Sequence, residues 1–215
     1  MFKILVIEHN FVISTGAINL TTMGLEFIEG KSFNKIDFIQ NPLIKGEYES
    51  CNFISCDFSN SDLADAIFME CEFENCNLSM ARLNKTAFRE VRFRNCKMLG
   101  LHFVNCNKFG LSVSFDNCNL SHSSFYQMKL KMTTFRNSNL HEVDFTECDL
   151  TGSVFDNCDF MRATFENSII EKADFRTSFN YSIDPEKNRI KKAVFSLTGI
   201  AGLLDKYDIE IDTKD

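Results

Sequence analysis

The sequence has no tryptophan, and it has only 2 prolines and 9 glycines among 215 residues. With so few glycines it contains no Gly-rich phosphate-binding loop. Long apolar runs are also missing: residues 2–7 are interrupted by Lys3 and fall far short of the roughly 18 residues that a membrane span needs. Glu8 and His9 end this run before a secretory signal could form. These absences predict a cytoplasmic protein without a membrane segment.

Positive charge is scarce as well. The formal net charge of -7 disfavours direct binding of nucleic acid, because phosphate recognition needs clustered Lys and Arg. Residues 46–81 contain eight acids and neither Lys nor Arg, residues 82–97 are mainly basic, and residues 137–161 are again acidic without a base. The charge is therefore arranged in acidic, basic and acidic bands along the chain.

What the sequence has in abundance is phenylalanine, with 23 copies. Large apolar residues recur every five positions in two registers, one from Phe33 to Phe103 and one from Phe115 to Phe175. An insertion of two residues, around 107–112, separates the registers. A period of five fits neither an α-helix nor a strand, so each repeat must be a short extended piece followed by a corner.

The other positions of the repeat are also patterned. Asn is common two positions after each apolar centre, where it suits a turn because it tolerates left-handed backbone. All nine cysteines fall two positions before a centre or before the place where one is expected. This spacing predicts buried free thiols and no metal site or cofactor, since zinc ligands converge from closer spacings. It also separates the inward cysteines from the outward His102, His122 and His141, so no Cys/His catalytic dyad is expected.

The repeat Ala173-Asp174-Phe175-Arg176-Thr177 is a clean copy of a known motif: small residue, Asp or Asn, Leu or Phe, and two polar residues. On this motif the sequence resembles the pentapeptide-repeat family. The resemblance implies an all-β fold, a right-handed quadrilateral β-helix with four repeats per coil, over residues 23–180. Residues 20 apart should then stack, which predicts a core column of Phe33, Phe53, Phe73, Phe93, Phe115, Phe135, Phe155 and Phe175.

The two ends depart from the repeat. Residues 1–22 are either an N-terminal extension or cap, or non-native sequence upstream of a start at Met23. In residues 181–215, Asp184 and Pro185 predict a turn before one last repeat, and Ile209 and Ile211 alternate like a short strand. Between them, apolar residues at helical spacing predict a short α-helix that caps the solenoid or forms a dimer interface: Leu197, Ile200, Leu203, Leu204 and Tyr207.

This C-terminal pattern resembles that of the Qnr-type and mycobacterial Mfp-type fluoroquinolone-resistance proteins. The resemblance implies a tail-to-tail homodimer, an acidic rod that mimics B-DNA and binds DNA gyrase or topoisomerase IV. A rigid scaffold for an unrelated partner is the alternative, favoured by the basic band and the lack of long loops. Either way a non-catalytic protein is expected, and the outward acids without predicted partners are the candidate binding surface: Asp57, Asp62, Asp65, Asp144, Asp149 and Asp159.

One further column of charge is predicted to be structural. Glu74, Arg94, Asp116, Arg136, Asp156 and Arg176 alternate in sign at every coil, directly after the phenylalanine column. Cross-strand pairs of opposite charge stabilise neighbouring strands weakly.

Overall fold

The computed structural model describes residues 25–212, and within them the chain is a right-handed parallel β-solenoid. No helix in this part of the chain is long and apolar enough to cross a membrane. The elements in chain order are the strands β1 (Glu26–Glu29), β2 (Ser32–Asn34), β3 (Gly46–Glu49), β4 (Asn52–Ile54), β5 (Ile67–Met69), β6 (Glu72–Glu74), β7 (Ala87–Arg89), β8 (Val91–Arg94), β9 (Val113–Asp116), β10 (Thr134–Arg136) and β11 (Val154–Asp156), and three 3₁₀ helices, η1 (Phe103–Asn105), η2 (Thr198–Leu203) and η3 (Asp205–Tyr207).

The solenoid has four faces, which we number in chain order. Face 1 carries the seven-stranded parallel sheet β2-β4-β6-β8-β9-β10-β11, and face 4 carries the four-stranded parallel sheet β1-β3-β5-β7. On faces 2 and 3, successive coils are joined by isolated parallel bridges, such as Asp57 with Asn77 on face 2 and Asp62 with Arg82 on face 3. Partners lie 20 residues apart, or 22 across the insertion near residue 110, which confirms four repeats per coil.

In the central coils a repeat typically buries two of its five side chains, as the periodicity predicts. Cys51 and Phe53 are both fully buried, whereas Asn52 between them is exposed. The chain then turns at a residue with positive φ, for example Asn60 with φ 56° and Asn117 with φ 53°. Residues other than Gly and Asn adopt this backbone at an energetic cost. Many corners accept that cost, because the solenoid needs a turn at every fifth position.

The eight phenylalanines of the expected column stack on face 1. Their ring centroids lie 4.7 to 5.4 Å apart from one coil to the next, close to the spacing of adjacent strands. On face 3, Phe103, Phe125 and Phe145 stack in the same way at 4.5 and 5.3 Å. Each fully buried ring contributes about 2 kcal/mol of apolar burial, so the columns supply much of the core.

The two inserted residues lengthen the chain at 107–112 into a loop, which we call the insertion loop. Lys97 pairs with Asn77, 20 residues earlier, and with Asn119, 22 residues later, so the coil gains two residues here. The backbone N–H of Asn107 still donates to the carbonyl of Thr86, as in the regular coils. The backbone N–H of Ser112 donates to the carbonyl of Phe88 at 3.0 Å. The extra length lies between these two bonds, and the phenylalanine column passes it without a break.

The C-terminal segment differs from the expected α-helix. It forms the short 3₁₀ helices η2 and η3, and residue 208, with φ 49°, ends η3. Gly199 and Gly202 disfavour a longer helix. Gly202 lies so close to Tyr181 that a Cβ atom at residue 202 would overlap the Tyr181 backbone. The carbonyl of Gly202 accepts a hydrogen bond from the backbone N–H of Ile183. The segment is therefore held against the coil end. Residues 208–212 do not form the expected strand, and residues 1–22 lie outside the described part of the chain.

Candidate interaction surfaces

Five of the six candidate aspartates have a local structural role. Each immediately precedes a buried core residue, and its Oδ1 accepts the backbone N–H two residues later: 2.8 Å from Ser59 to Asp57, and 2.9 Å from Thr146 to Asp144. Asp62, Asp149 and Asp159 make the same turn. The preference for Asp at this position is thus explained by the corner it stabilises.

The structure does not bring the six aspartates together. Asp57 and Asp159 lie on face 2, Asp62 and Asp144 on face 3 and Asp149 on face 4, and Asp65 is at the corner before face 4. Several are also paired, namely Asp62 with Arg82 at 3.3 Å, Asp65 with Lys45 at 3.5 Å, Asp149 with Lys131 at 3.2 Å and Asp159 with His141 at 2.7 Å. They do not form one acidic surface.

The pKa values of two of these carboxyls reflect that pairing. Burial alone would raise the pKa of Asp149, but hydrogen bonds from Thr151 and Lys131 outweigh burial and hold it below its ordinary value. For Asp159, burial is likewise outweighed by hydrogen bonds from His141 and Asn180, which lower its pKa. Both carboxylates are therefore charged at neutral pH and already engaged within the solenoid.

Glutamates on face 4 form a different acidic surface, which sequence reasoning did not single out. The register of β1 and β3 places Glu29 opposite Glu49, and Glu47 lies on the same outward side. Glu70 and Glu90 follow at the next corners of this face. None of them forms an ion pair with a residue between 25 and 212. The sequence shows three of these acids in its first acidic band, but only the coil geometry assigns them to one face.

The predicted ladder of charge is formed only in part. The six residues lie in adjacent positions along face 1, yet only Arg136 and Asp156 pair, at 3.2 Å. Arg94 instead approaches Glu72 at 2.9 Å, a contact that is ionic and poorly aligned for a hydrogen bond. Arg176 pairs with Asp174, two residues away, at 2.6 Å. Long arginine side chains reach diagonal partners, so position in the register does not determine the pairing.

The C-terminal end presents an apolar surface. Of the five residues expected at a dimer interface, Leu197 is 87% exposed, Tyr207 53% and Ile200 46%, while Leu203 and Leu204 are half-buried. Leu203 packs against the core and, with Ile183 and Gly202, lines a shallow cavity of about 210 Å³. The segment is fixed in place by Lys206, whose Nζ lies 2.8 Å from Asp184 and 2.7 Å from Glu186.

The thiols are buried, free and aligned along the solenoid. Burial raises the pKa of Cys71, Cys106 and Cys158 to about 12, well above the ordinary 9.0, so these thiols are protonated and poor nucleophiles. Seven of the nine thiols donate to a backbone carbonyl of the preceding coil, as Cys76 does to Phe53 at 3.2 Å. Residues 25–212 contain no group of three or more His, Cys, Asp or Glu side chains placed to hold a metal ion.

Comparison with known proteins agrees with this geometry. The family model described as a pentapeptide repeat region matches residues 47–108 and 102–175. A trypsin-treated variant of QnrB1, a plasmid-mediated fluoroquinolone resistance protein, superimposes with a TM-score of 0.63 at 19% identity, over 91% of this chain and 95% of that one. HetL, a pentapeptide repeat protein involved in heterocyst differentiation regulation in the cyanobacterium Nostoc, matches 82% of this chain and 87% of its own at 14% identity, with a TM-score of 0.33.

At 19% identity the QnrB1 structure establishes the fold alone. No curated protein sequence matches the chain. The family model, in contrast, covers more than half of it, over the same coils in which the five-residue periodicity, the buried pairs and the left-handed corners are observed. The chain therefore belongs to the pentapeptide-repeat family.

Proposed function

We propose that this protein is a non-catalytic, cytoplasmic homodimer that binds a type II topoisomerase as a mimic of DNA. The observation that carries the proposal is the shape and charge of the solenoid: a rigid rod with a packed interior and a formal net charge of -7. Phe195 stacks on Phe175, so from Phe33 to Phe195 the column contains eight steps of about 4.8 Å, which makes a rod of about 38 Å. Two such rods joined at their C-terminal ends would present about twice that length to a DNA-binding groove.

The resemblance in fold to QnrB1 supports the same proposal. QnrB1 is described as a fluoroquinolone resistance protein, and its structure matches this chain over nearly the full length of both. The exposed Leu197, Ile200 and Tyr207 at the C-terminal end provide an apolar surface for the tail-to-tail dimer. The unpaired glutamates of face 4 supply negative charge that is free to attract a basic partner.

The basic band favours a second candidate, a rigid scaffold for a partner unrelated to topoisomerase. Arg92 is exposed and forms no ion pair with a residue between 25 and 212, and Lys97 is exposed on the next face. Such cations interrupt a surface that would otherwise resemble the phosphate backbone. A partner with alternating acidic and basic contacts would match this banding better than a DNA-binding groove does.

A supercoiling assay with purified gyrase tests the first candidate. The protein is expected to inhibit supercoiling, or to protect gyrase from a fluoroquinolone, and to bind it directly. The variant Glu47→Gln/Glu49→Gln/Glu70→Gln, which removes unpaired charge, is expected to weaken this effect. The control Glu142→Gln/Glu166→Gln/Glu171→Gln has the same net charge but removes carboxylates that are paired with Arg162, Lys187 and Arg189, and should retain more of the effect.

If gyrase and topoisomerase IV show no inhibition, protection or binding at micromolar protein, the DNA-mimic proposal is wrong. Equal weakening by the two triple variants would show that net charge alone, and not the unpaired surface, determines binding. If neither topoisomerase is bound, a pull-down from lysate with the intact protein would identify the partner of the scaffold.

A further inference from the structure

Face 4 is divided into two halves of opposite charge. Its first four coils carry five glutamates and one arginine on the outward positions and at the corner that follows the face, and we call this the acidic half: Glu29, Glu47, Glu49, Glu70 and Glu90 with Arg89. Its last four coils carry six bases and two acids, and we call this the basic half: Lys129, Lys131, Lys172, Arg189, Lys191 and Lys192 with Asp149 and Glu171. The two halves are equal in length and opposite in net charge.

Most of these charges have no ion-pair partner among residues 25–212. The five glutamates form no ion pair within residues 25–212, as described above. In the basic half, Lys131 pairs with Asp149 and Arg189 pairs with Glu171 at 2.7 Å. That leaves four exposed lysines without an ion-pair partner in the described part of the chain: Lys129, Lys172, Lys191 and Lys192.

The insertion loop lies between the two halves and exposes an aromatic ring. Phe109 is 79% exposed at the tip of this loop. The loop is anchored by Lys108, whose Nζ donates to the carbonyl of Gln127 at 3.2 Å, and by the left-handed Gly110, which packs near the Arg89 side chain. The Nε of Arg89 is buried there without a hydrogen-bond partner. A large apolar side chain is thus held outward at the middle of the face.

We propose that face 4 is a self-complementary surface on which two copies of this chain pair side by side in antiparallel orientation. A two-fold axis near Phe109 would place the acidic half of each copy against the basic half of the other, and would bring the two Phe109 rings together. Parallel pairing would place like charges opposite each other. Such a two-fold contact is isologous, so it closes at a dimer of solenoids.

This association is distinct from the C-terminal interface and does not depend on the proposed function. It needs neither a topoisomerase nor Leu197. Because the contacts are between exposed charges, it should be weak and should be lost at high ionic strength, whereas apolar contact at the C-terminal end should persist.

A charge-swap experiment tests the pairing. Sedimentation velocity is measured at about 0.02 M and about 0.5 M salt on a Leu197→Asp background, in which C-terminal association is removed. At low salt, Glu29→Lys/Glu49→Lys and Lys172→Glu/Lys191→Glu, which lie on opposing coils in the proposed dimer, should each weaken self-association by roughly tenfold or more, because each double change introduces repulsion twice across the two-fold axis. An equimolar mixture of the two variants should restore association, since both contacts are then complementary.

The matched control Glu74→Lys/Asp116→Lys makes the same change in net charge on face 1 and should leave association unchanged. Phe109→Ser should weaken it while the circular dichroism spectrum stays that of the folded protein. The absence of self-association at low salt, no effect of either charge reversal, or no recovery in the mixture would each overturn the proposal.

Discussion

Phe195 stacks on Phe175, with 5.3 Å between the ring centroids and 12° between the ring planes. The phenylalanine column of face 1 therefore continues one coil beyond the last regular repeat. It does so past an irregular segment in which Asn180 is exposed and Tyr181 is buried in its place. The bridge of Asp174 with Val194 shows that this segment keeps the 20-residue coil length. The phenylalanine rings thus stay stacked across a coil in which the five-residue motif is interrupted.

The column should dominate stability, and Phe135→Ala is a direct test. Phe135 is fully buried and lies between Phe115 and Phe155, at 4.9 and 5.0 Å. Replacing it leaves a cavity that neighbouring coils cannot close, and should cost about 3 to 5 kcal/mol in urea unfolding. Phe179→Ala, at a ring that is 45% exposed, should cost clearly less. Similar losses for both variants would contradict a core built on this column.

The fold was predictable from the sequence because one geometric unit is repeated. Phe53 and Phe73 are 20 residues apart in the sequence and adjacent in space, and that relationship recurs in every coil except the one with the insertion loop, where the separation is 22 residues. The C-terminus has no such redundancy: the spacing of Leu197, Ile200 and Leu203 predicts an α-helix, but the contact of Gly202 with Tyr181 holds a tighter 3₁₀ turn. A single tertiary contact determines the backbone there, and it leaves no periodic signal.

The candidate surfaces were less predictable, since outward positions carry no packing constraint. Asp57 and Asp144 looked like free charge in the sequence, yet each bonds its own backbone. Glu47 and Glu70 form no ion pair with a residue between 25 and 212, and the side chain of the neighbouring Arg89 lies beside Gly110 of the insertion loop instead. Whether an exposed carboxylate is paired depends on side-chain reach between coils, which the repeat does not specify.

Left-handed corners offer a route to higher stability. Met132 is 80% exposed and has φ 55°, a backbone region that Asn tolerates better than Met does. Met132→Asn should therefore raise the free energy of unfolding, by up to about 1 kcal/mol. The control Met161→Asn replaces an exposed methionine that is not among the positive-φ residues, and should give no gain. A gain at both positions would point to loss of surface hydrophobicity instead.

Alkaline pH should destabilise the fold through its thiols. Burial raises the pKa of the Cys106 thiol to about 12, whereas in the unfolded chain its pKa is near the ordinary 9.0. Between these values the folded state holds more protons, so stability that is complete below about pH 9 falls by about 1.4 kcal/mol per pH unit for each such thiol. Urea unfolding between about pH 9 and 10 should show a shallower decline for Cys106→Ala than for the unsubstituted protein. Equal slopes would exclude this thiol as a cause.

The contact of Gly202 with Tyr181 should hold the C-terminal segment in place. Gly202→Ala introduces a Cβ that overlaps the Tyr181 backbone, so η2 must move away from the coil end. We expect faster trypsin cleavage at Lys206 and faster hydrogen exchange in residues 198–207, with little change in the solenoid. Thr198→Ala, an exposed change in the same 3₁₀ helix, serves as the control. Unchanged cleavage of the Gly202 variant would show that the contact does not restrain the segment.

The C-terminal dimer is tested most cleanly at Leu197. Its side chain is 87% exposed, so Leu197→Asp should leave the solenoid intact while placing a charge in the apolar surface. Static light scattering at about 0.5 M salt, where contacts between exposed charges are screened, is expected to give a dimer for the unsubstituted protein and a monomer for this variant. Met132→Asp, at a comparably exposed apolar side chain outside the C-terminal segment, should remain dimeric. A monomeric unsubstituted protein, or a dimer that survives Leu197→Asp, would rule out association through this end.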